Sequence, residues 1–194
     1  MPGTKREIMR EKLLDAAEGQ LIANGLGALK ARGITSEAGV SLGALYTAFE
    51  DLDLLILGLN SRTIAELHQA LAAAVSQIEG PSYQLEALAL AYLDFAAANP
   101  RRWAALFDHQ MPPDTPVPDW HLAEHGALLA QVEAVLESLE PELSADIRAL
   151  RARTLFSAVH GIVKLSLERR FVALEPEAVR AELRDCLRRY IAGP

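Results

Sequence analysis

A serine between two glycines is the first feature of this sequence with a spacing that could support chemistry. Gly39-Val40-Ser41-Leu42-Gly43 satisfies G-x-S-x-G, the pattern in which a serine on a sharp turn acts as a nucleophile. That chemistry needs a strand before the serine, a sheet beneath it, and an acid and a histidine downstream. No stretch of the chain alternates apolar and polar residues at the period of a strand. We therefore interpret the pattern as a turn that favours small residues, and we expect no enzyme.

Three histidines are the second such feature. His121 and His125 are four residues apart on a predicted helix, a spacing that can hold zinc, and His109 is close in sequence. No cysteine or acidic third ligand stands at a recognisable spacing, and the Glu-x-x-His pairs of helical di-iron enzymes are absent. We predict no metal and no other cofactor, and we expect these histidines at a surface or at a pocket rim.

Composition restricts the class of protein. Of the 194 residues, 51 % are hydrophobic and 23 % charged, which is typical of a soluble globular chain. No apolar run approaches the ~18 residues of a membrane span, and the charged first twelve residues do not resemble a secretion signal. The single cysteine, Cys186, cannot form an internal disulfide. These observations predict a cytoplasmic protein with no membrane partner.

The charge balance argues against a nucleic-acid partner. The formal net charge is −7, and residues 1–52 carry six basic against seven acidic side chains. A DNA-binding function must therefore depend on the local arrangement of charges and not on overall basicity.

The elements that position these residues all read as helices, because alanine and leucine dominate and β-branched residues are sparse. We predict an all-α fold. The first helix covers 6–24 and ends at Gly25, short helices at 31–38 and 42–49 follow, and a long helix covers 51–78. Ser82 is expected to cap the next helix, and the four prolines of Met111–Pro118 predict a loop. Further helices are expected at 119–139, about 142–171 and 176–192.

The turn at Gly39-Val40-Ser41 joins the two short helices. Gly39 can adopt the left-handed conformation that a tight helix–helix turn needs, and Ser41 is a good N-cap. Leu45 and Phe49, four residues apart, are expected to anchor the second short helix inward. The opposite face then projects small or apolar side chains, which suits insertion into a major groove as in helix-turn-helix proteins. They are Leu42, Gly43, Ala44, Tyr46 and Thr47.

Residues 10–58 resemble the DNA-binding domain of the TetR family of bacterial repressors. The Ala-Gly-Val-Ser-x-Gly-x-x-Tyr-x-x-Phe core at residues 38–49 carries the resemblance. It implies a ligand-responsive repressor with a DNA-binding domain at 1–52 and a helical ligand-binding and dimerisation domain at 53–194. It also implies that the helix from Leu42 to Phe49 reads operator DNA, with Tyr46 on a phosphate and Lys5 and Arg6 along the backbone. The expected DNA-binding residues are Lys5, Arg6, Arg32, Ser41, Leu42, Gly43, Ala44, Tyr46 and Thr47.

The chain departs from the family pattern at four positions. Lys30 replaces the usual capping threonine of the second helix, and Ala48 stands where the family commonly has histidine. Leu52 replaces a backbone-contacting lysine, and Leu42 occupies a position that is often polar or basic. Each lost charge removes a phosphate contact. A helical ligand-binding or dimerisation module with weakened or lost DNA binding is therefore the alternative function.

The last two predicted helices, about 142–171 and 176–192, suit a dimer interface. The first is apolar on several faces, as expected for a helix buried on two sides. In TetR-like proteins the last two helices form a four-helix interface between two copies, so the resemblance implies a homodimer. The second helix also carries a stripe of Arg180, Arg184 and Arg188, which is consistent with a solvated face or with salt bridges across the dimer.

The segments 156–165 and 100–107 resemble a C-terminal domain subgroup known for a Trp-His-Gly motif. Here the motif reads Ser157-Ala-Val-His160-Gly161, with serine where tryptophan is expected. Such a domain would hold a small-molecule inducer among its central helices. The candidate ligand-binding residues, for which ordinary core packing is the competing interpretation, are Trp103, Phe107, Met111, Trp120 and His160.

Overall fold

The computed structural model describes residues 4–168 and 174–192. Within them the chain forms nine α-helices, one short 3-10 turn at Leu26–Ala28 and no strand, which confirms the all-α prediction. The helices are α1 (Lys5–Asn24), α2 (Ala31–Glu37), α3 (Leu42–Phe49), α4 (Leu52–Val75), α5 (Pro81–Ala98), α6 (Pro100–Asp108), α7 (Asp119–Leu139), α8 (Ala145–Leu167) and α9 (Pro176–Ala192). No helix in this part of the chain is long and apolar enough to cross a membrane.

Most predicted helix boundaries agree with the structure, and two differ in an informative way. Helix α5 begins at Pro81, so Ser82 lies in its first turn and the prediction that Ser82 caps the helix is wrong. Proline suits the first helical position because it lacks the N–H that would have no partner there. Helix α8 begins at residue 145, where Ser144 accepts a hydrogen bond from the backbone N–H of Ile147. The predicted extension of α8 over 169–171 lies outside the described residues.

The described chain separates into two compact units. The first contains residues up to 65 together with 99–122, and the second contains 66–98 and the residues from 123 onward. Helix α4 therefore contributes its first half to one unit and its second half to the other. The functional boundary at residue 52 stays a prediction, because compactness does not show which residues bind DNA.

The first unit is built on a core shared by α1, α2, α3 and the first half of α4. Its large, fully buried side chains include Leu13, Leu21, Ile34, Leu45, Leu55 and Leu59. Helix α6 joins the same unit through buried Ala105 and through polar contacts. The guanidinium of Arg101 donates to the carbonyl of Ile22 at 2.6 Å, and the Asn60 amide donates to the carbonyl of Ala105 at 3.2 Å.

An ionic cluster fastens α1 to α4 and α6 within this unit. The Arg62 guanidinium on α4 hydrogen-bonds to Asp15 at 2.8 Å, to Glu18 at 3.2 Å and to Glu11. On the other side of Glu18, Arg102 of α6 forms an ion pair at 3.0 Å. Burial alone would lower the pKa of Arg62, but the hydrogen bonds to Asp15 and Glu11 raise it above its ordinary value.

The second unit packs α5, α8 and α9 around a leucine- and valine-rich core. Its buried side chains include Leu88, Leu136, Val163, Leu183 and Leu187. The arginine stripe of α9 faces α5, where Arg188 pairs with Glu86 at 3.0 Å and Arg180 pairs with Asp94. The acids that these arginines contact belong to the same chain, and salt bridges across a dimer stay a prediction.

Candidate nucleic-acid interface

The turn between α2 and α3 has the predicted conformation. Gly39 has a φ of 66°, in the left-handed region that glycine adopts without steric cost. The N–H of Val40 donates to the carbonyl of Thr35 at 2.9 Å and closes the end of α2. Val40 is partly buried against the core of the first unit. The turn therefore fixes the angle between the two short helices by backbone geometry and by one apolar anchor.

Side-chain capping differs between the two helices. At the start of α3, the hydroxyl of Ser41 accepts a hydrogen bond from the N–H of Ala44 at 3.2 Å, which confirms its predicted role. At the start of α2, Lys30 makes no capping hydrogen bond, so the structure also confirms the missing cap. This Ser41 lies between two helices and has no strand before it in the described chain, which removes the basis for a nucleophile elbow.

Helix α3 has one buried face and one exposed face. Leu45 and Phe49 are fully buried, as predicted, and Ala48 is buried beside them. The exposed face carries Leu42 at 36 % exposure and Tyr46 at 49 %, together with exposed Gly43 and Thr47 and half-buried Ala44. A histidine at position 48 would meet this core rather than solvent, so the alanine there serves packing.

Arg10 contacts the C-terminal end of α3. Its guanidinium donates to the carbonyl of Ala48 at 2.6 Å and lies 3.9 Å above the ring centroid of Phe49. A cation at this end complements the partial negative charge of the helix C-terminus. Sequence reasoning does not assign this role to Arg10. Its spacing from Leu13, Leu14 and Ala17 nevertheless places it on the buried face of α1, which is the signal that could have found it.

The start of α1 and the exposed face of α3 form one cleft of about 630 Å³. Lys5 and Arg6 line it from α1, where both are exposed and able to reach a phosphate backbone. The α3 side supplies Ser41, Gly43, Ala44 and Thr47. The structure thus brings six of the nine predicted DNA-binding residues together. Of the other three, Leu42 and Tyr46 lie on the exposed face of α3, and Arg32 is exposed on α2.

The candidate ligand-binding residues belong to two clusters. In the first unit, Trp103 is buried with its ring centroid 5.5 Å from that of Phe107, Met111 is half-buried, and Trp120 is exposed and packs edge-on against His121. In the second unit, His160 Nδ1 is 2.7 Å from the hydroxyl of Tyr92, and its ring stacks on Phe156 with centroids 5.6 Å apart.

His109, His121 and His125 do not converge into a metal site in the part of the chain that is described. No group of three histidine, cysteine or acidic side chains there has metal-binding geometry. His121 is buried and His125 half-buried. His109 lies with its Nε2 atom 3.6 Å from Asp53 Oδ1, and burial lowers its pKa below the ordinary value.

Comparison with known proteins agrees with this arrangement. Residues 13–57 match the model of bacterial regulatory proteins of the tetR family, and residues 85–190, more than half of the chain, match the tetracyclin repressor-like C-terminal domain. No curated protein has a significantly matching sequence.

Several solved structures share the fold. A protein of unknown function from Rhodococcus sp. RHA1 is 24 % identical with a TM-score of 0.77, covering 95 % of this chain and 96 % of that one. A TetR-like transcriptional regulator from the same organism is 22 % identical with a TM-score of 0.65 and complete coverage of both chains. A TetR family transcription regulator from Marinobacter aquaeolei VT8 is 17 % identical with a TM-score of 0.66, covering 94 % and 95 %.

These likenesses establish the fold, and the two family models establish more. The domain at 13–57 places the chain among DNA-binding transcription regulators, which are not enzymes. The Trp-His-Gly subgroup stays a prediction. The chain belongs to the TetR family of bacterial transcription regulators.

Proposed function

We propose that this protein is a homodimeric repressor that binds operator DNA through α3 and is released by a small-molecule inducer. The cleft that joins Lys5 and Arg6 to the exposed face of α3 carries the proposal. It sets basic side chains beside the exposed face of a short helix, a combination that suits docking in a major groove.

Within this complex, four of the nine predicted DNA-binding residues would contact phosphates and so set the position of the protein on the DNA. Lys5, Arg6 and Arg32 are exposed cations that would lie along the phosphates, and Tyr46 would place its hydroxyl on another. The remaining residues of the set belong to α3 or its cap and would face the bases.

The dimer would form through α8 and α9. Helix α8 carries an exposed stripe of residues, mostly three or four positions apart, with a leucine at each end. It consists of Leu150, Thr154, Ser157, Ala158 and Leu165, with half-buried Gly161 between the last two. Small residues in the middle of such a stripe allow two helices to approach closely. Two-fold symmetry would then present two α3 helices to successive major grooves, about 34 Å apart.

An inducer would act by binding the two states of the dimer with different affinity. Helix α4 contributes to both compact units, so a shift of this helix could change the separation of the two α3 helices. The candidate inducer contacts form two separate sets, which are Trp103, Phe107, Met111 and Trp120 in the first unit and His160 in the second. Native mass spectrometry of the purified protein would identify a co-purified ligand, and His160→Ala should reduce its occupancy.

A gel-shift experiment on the DNA upstream of the protein's own gene tests the proposal. Wild-type protein should shift this DNA more strongly than unrelated DNA of equal length at low salt. Tyr46→Ala should weaken binding to all sequences about equally, because it removes a phosphate contact, whereas Leu42→Ala should change the sequence preference. A folded dimer that shifts no DNA at low salt would contradict the repressor function.

The second candidate is a helical ligand-binding and dimerisation module with weakened or lost DNA binding. Exposed Leu42 and half-buried Leu52, where related sequences offer polar or basic groups, favour it, as does the net charge of −7. The same gel shift separates the two candidates, since this module would dimerise and bind a ligand without shifting DNA.

A further inference from the structure

The outward face of α3 offers almost no hydrogen bonds to a DNA base. We infer that this protein selects its operator by apolar contact with the methyl groups of thymines, made by Leu42, Ala44 and Thr47; the inference rests on the proposed function. In the major groove, bases are usually distinguished by side chains of arginine, lysine, asparagine, glutamine or the acids. The outward residues from Leu42 to Thr47 include none of these.

The two hydroxyls nearest the bases are already engaged within the helix. Thr47 Oγ1 donates its proton to the carbonyl of Gly43 at 2.9 Å, and Ser41 Oγ accepts the N–H of Ala44 at 3.2 Å. The Thr47 hydroxyl has therefore used its single proton and cannot donate to a base, whereas the Ser41 hydroxyl keeps its proton at the cap of α3. The methyl group of exposed Thr47 is the apolar part of this side chain that can contact a neighbouring base.

Gly43, in the same turn of α3, allows the helix to approach the bases closely. Gly43 is exposed, and a Cβ built on it would meet no atom nearer than the Ser41 hydroxyl at 4.0 Å, so packing within the protein does not demand glycine there. A residue without a side chain at this position lets the backbone of α3 lie deep in the groove. Leu42 and Ala44 on either side then reach the base edges with apolar groups only.

Thymine is the base that suits such a surface. It is the only base of unmodified DNA that presents a methyl group in the major groove. Removing one buried methyl group weakens an interaction about fourfold. The cations Lys5 and Arg6 in the same cleft add affinity without sequence information, since phosphates are alike. The direct reading of bases then comes from the apolar contacts on α3.

Uracil substitution tests the inference, because deoxyuridine differs from thymidine only by this methyl group and pairs identically. Competition fluorescence anisotropy would compare a bound upstream fragment with versions carrying uracil at single thymines. Affinity should fall about fourfold at each contacted thymine and remain unchanged at thymines outside the two half-sites. Thr47→Ser keeps the hydroxyl but removes the methyl group, so it should lose the uracil effect at one position. Thr47→Val keeps the methyl group and replaces the hydroxyl by a second one, so it should retain the uracil effect.

The possible outcomes separate this inference from the proposed function. Binding that stays within twofold on fully uracil-substituted half-sites would overturn the methyl readout and leave the repressor function standing. If Thr47→Ser shows the same uracil penalty as wild type at every position, Thr47 does not contact a thymine methyl group. A folded dimer that binds no DNA of either kind would overturn the proposed function, and the inference with it.

Discussion

Arg10 is the side chain that ties the first helix to the recognition helix. It hydrogen-bonds to the carbonyl of Ala48 and lies over the ring of Phe49, so one cation satisfies a helix end and covers an aromatic core residue. Arg6, one turn earlier on α1, lines the cleft instead. These two arginines therefore have different roles, one in the fold and one in the proposed DNA contact.

Replacing each arginine by alanine should separate these roles. Arg10→Ala should lower the free energy of unfolding by about 1–2 kcal/mol, because it removes a charged hydrogen bond and a cation–π contact. Arg6→Ala should leave stability unchanged and weaken DNA binding. Urea unfolding followed by circular dichroism measures the first effect, and fluorescence anisotropy the second. Equal stability of the two variants would show that Arg10 does not support α3.

His109 makes the stability of the first unit depend on pH. Its side chain is 8 % exposed and faces Asp53, Asp51 and His121. Burial lowers its pKa below the ordinary 6.5, and the two aspartates offset this only in part. As the pH falls, the unfolded chain therefore binds the proton before the folded chain does. The contribution of neutral His109 to the free energy of unfolding is fully present above pH 6.5, and it is lost as the pH falls from 6.5 through the lowered pKa of the folded state.

A pH series of unfolding curves checks this sign. The free energy of unfolding should fall more steeply for wild type than for His109→Gln as the pH is lowered below 6.5. The variant lacks the titrating group, so its curve should be the flatter one in that range. Parallel curves would show that His109 is protonated equally easily in both states.

At the residue scale, the sequence predicts the role of a residue correctly where local backbone geometry restricts the residue type. Gly39 and Ser41 could be assigned because a left-handed turn and an N-cap restrict the residue type within a few positions. The role of Arg10 depends on a contact with a residue 38 positions away, which no local rule contains.

At the scale of elements, the ionic cluster around Arg62 holds α1 against α4. Arg62→Gln should lower the free energy of unfolding by about 1 kcal/mol at low salt, since Glu11 and Asp15 are 65 % and 70 % exposed and each pair is largely screened. The loss should shrink at about 1 M salt, where screening is stronger. Thermal unfolding at two salt concentrations measures it. Lys12→Gln, which removes one exposed charge from α1, is the control and should change little.

Helix positions could be predicted from periodicity and capping, whereas partners between helices could not. The end of α1 follows from Gly25, and the starts of α3 and α9 follow from Ser41 and Pro176. The partners of the α9 arginines do not, because Glu86 and Asp94 stand on an element about a hundred residues earlier. The grouping of α6 with the first unit likewise depends on contacts distant in sequence, such as that of Arg102 with Glu18.

At the scale of the whole molecule, the proposed dimer depends on the exposed stripe of α8. Leu165→Glu should convert the protein to a monomer, because a carboxylate buried against a second copy has no partner. It should also abolish operator binding, since one α3 helix makes too few contacts. Light scattering after size-exclusion chromatography measures the mass. Leu122→Glu, at an exposed leucine of α7, is the matched control, and a dimer that survives Leu165→Glu would place the interface elsewhere.

The salt dependence of binding to the upstream DNA tests the central claim most directly. Lys5, Arg6 and Arg32 from each protomer would neutralise about six phosphates, so the slope of log K against log salt concentration should be about −5. Fluorescence anisotropy measures this slope, and Arg6→Ala should make it shallower by about two in the dimer. We expect a steep negative slope for the wild type. A folded dimer that binds no DNA, or binds it with an affinity independent of salt, would contradict the account.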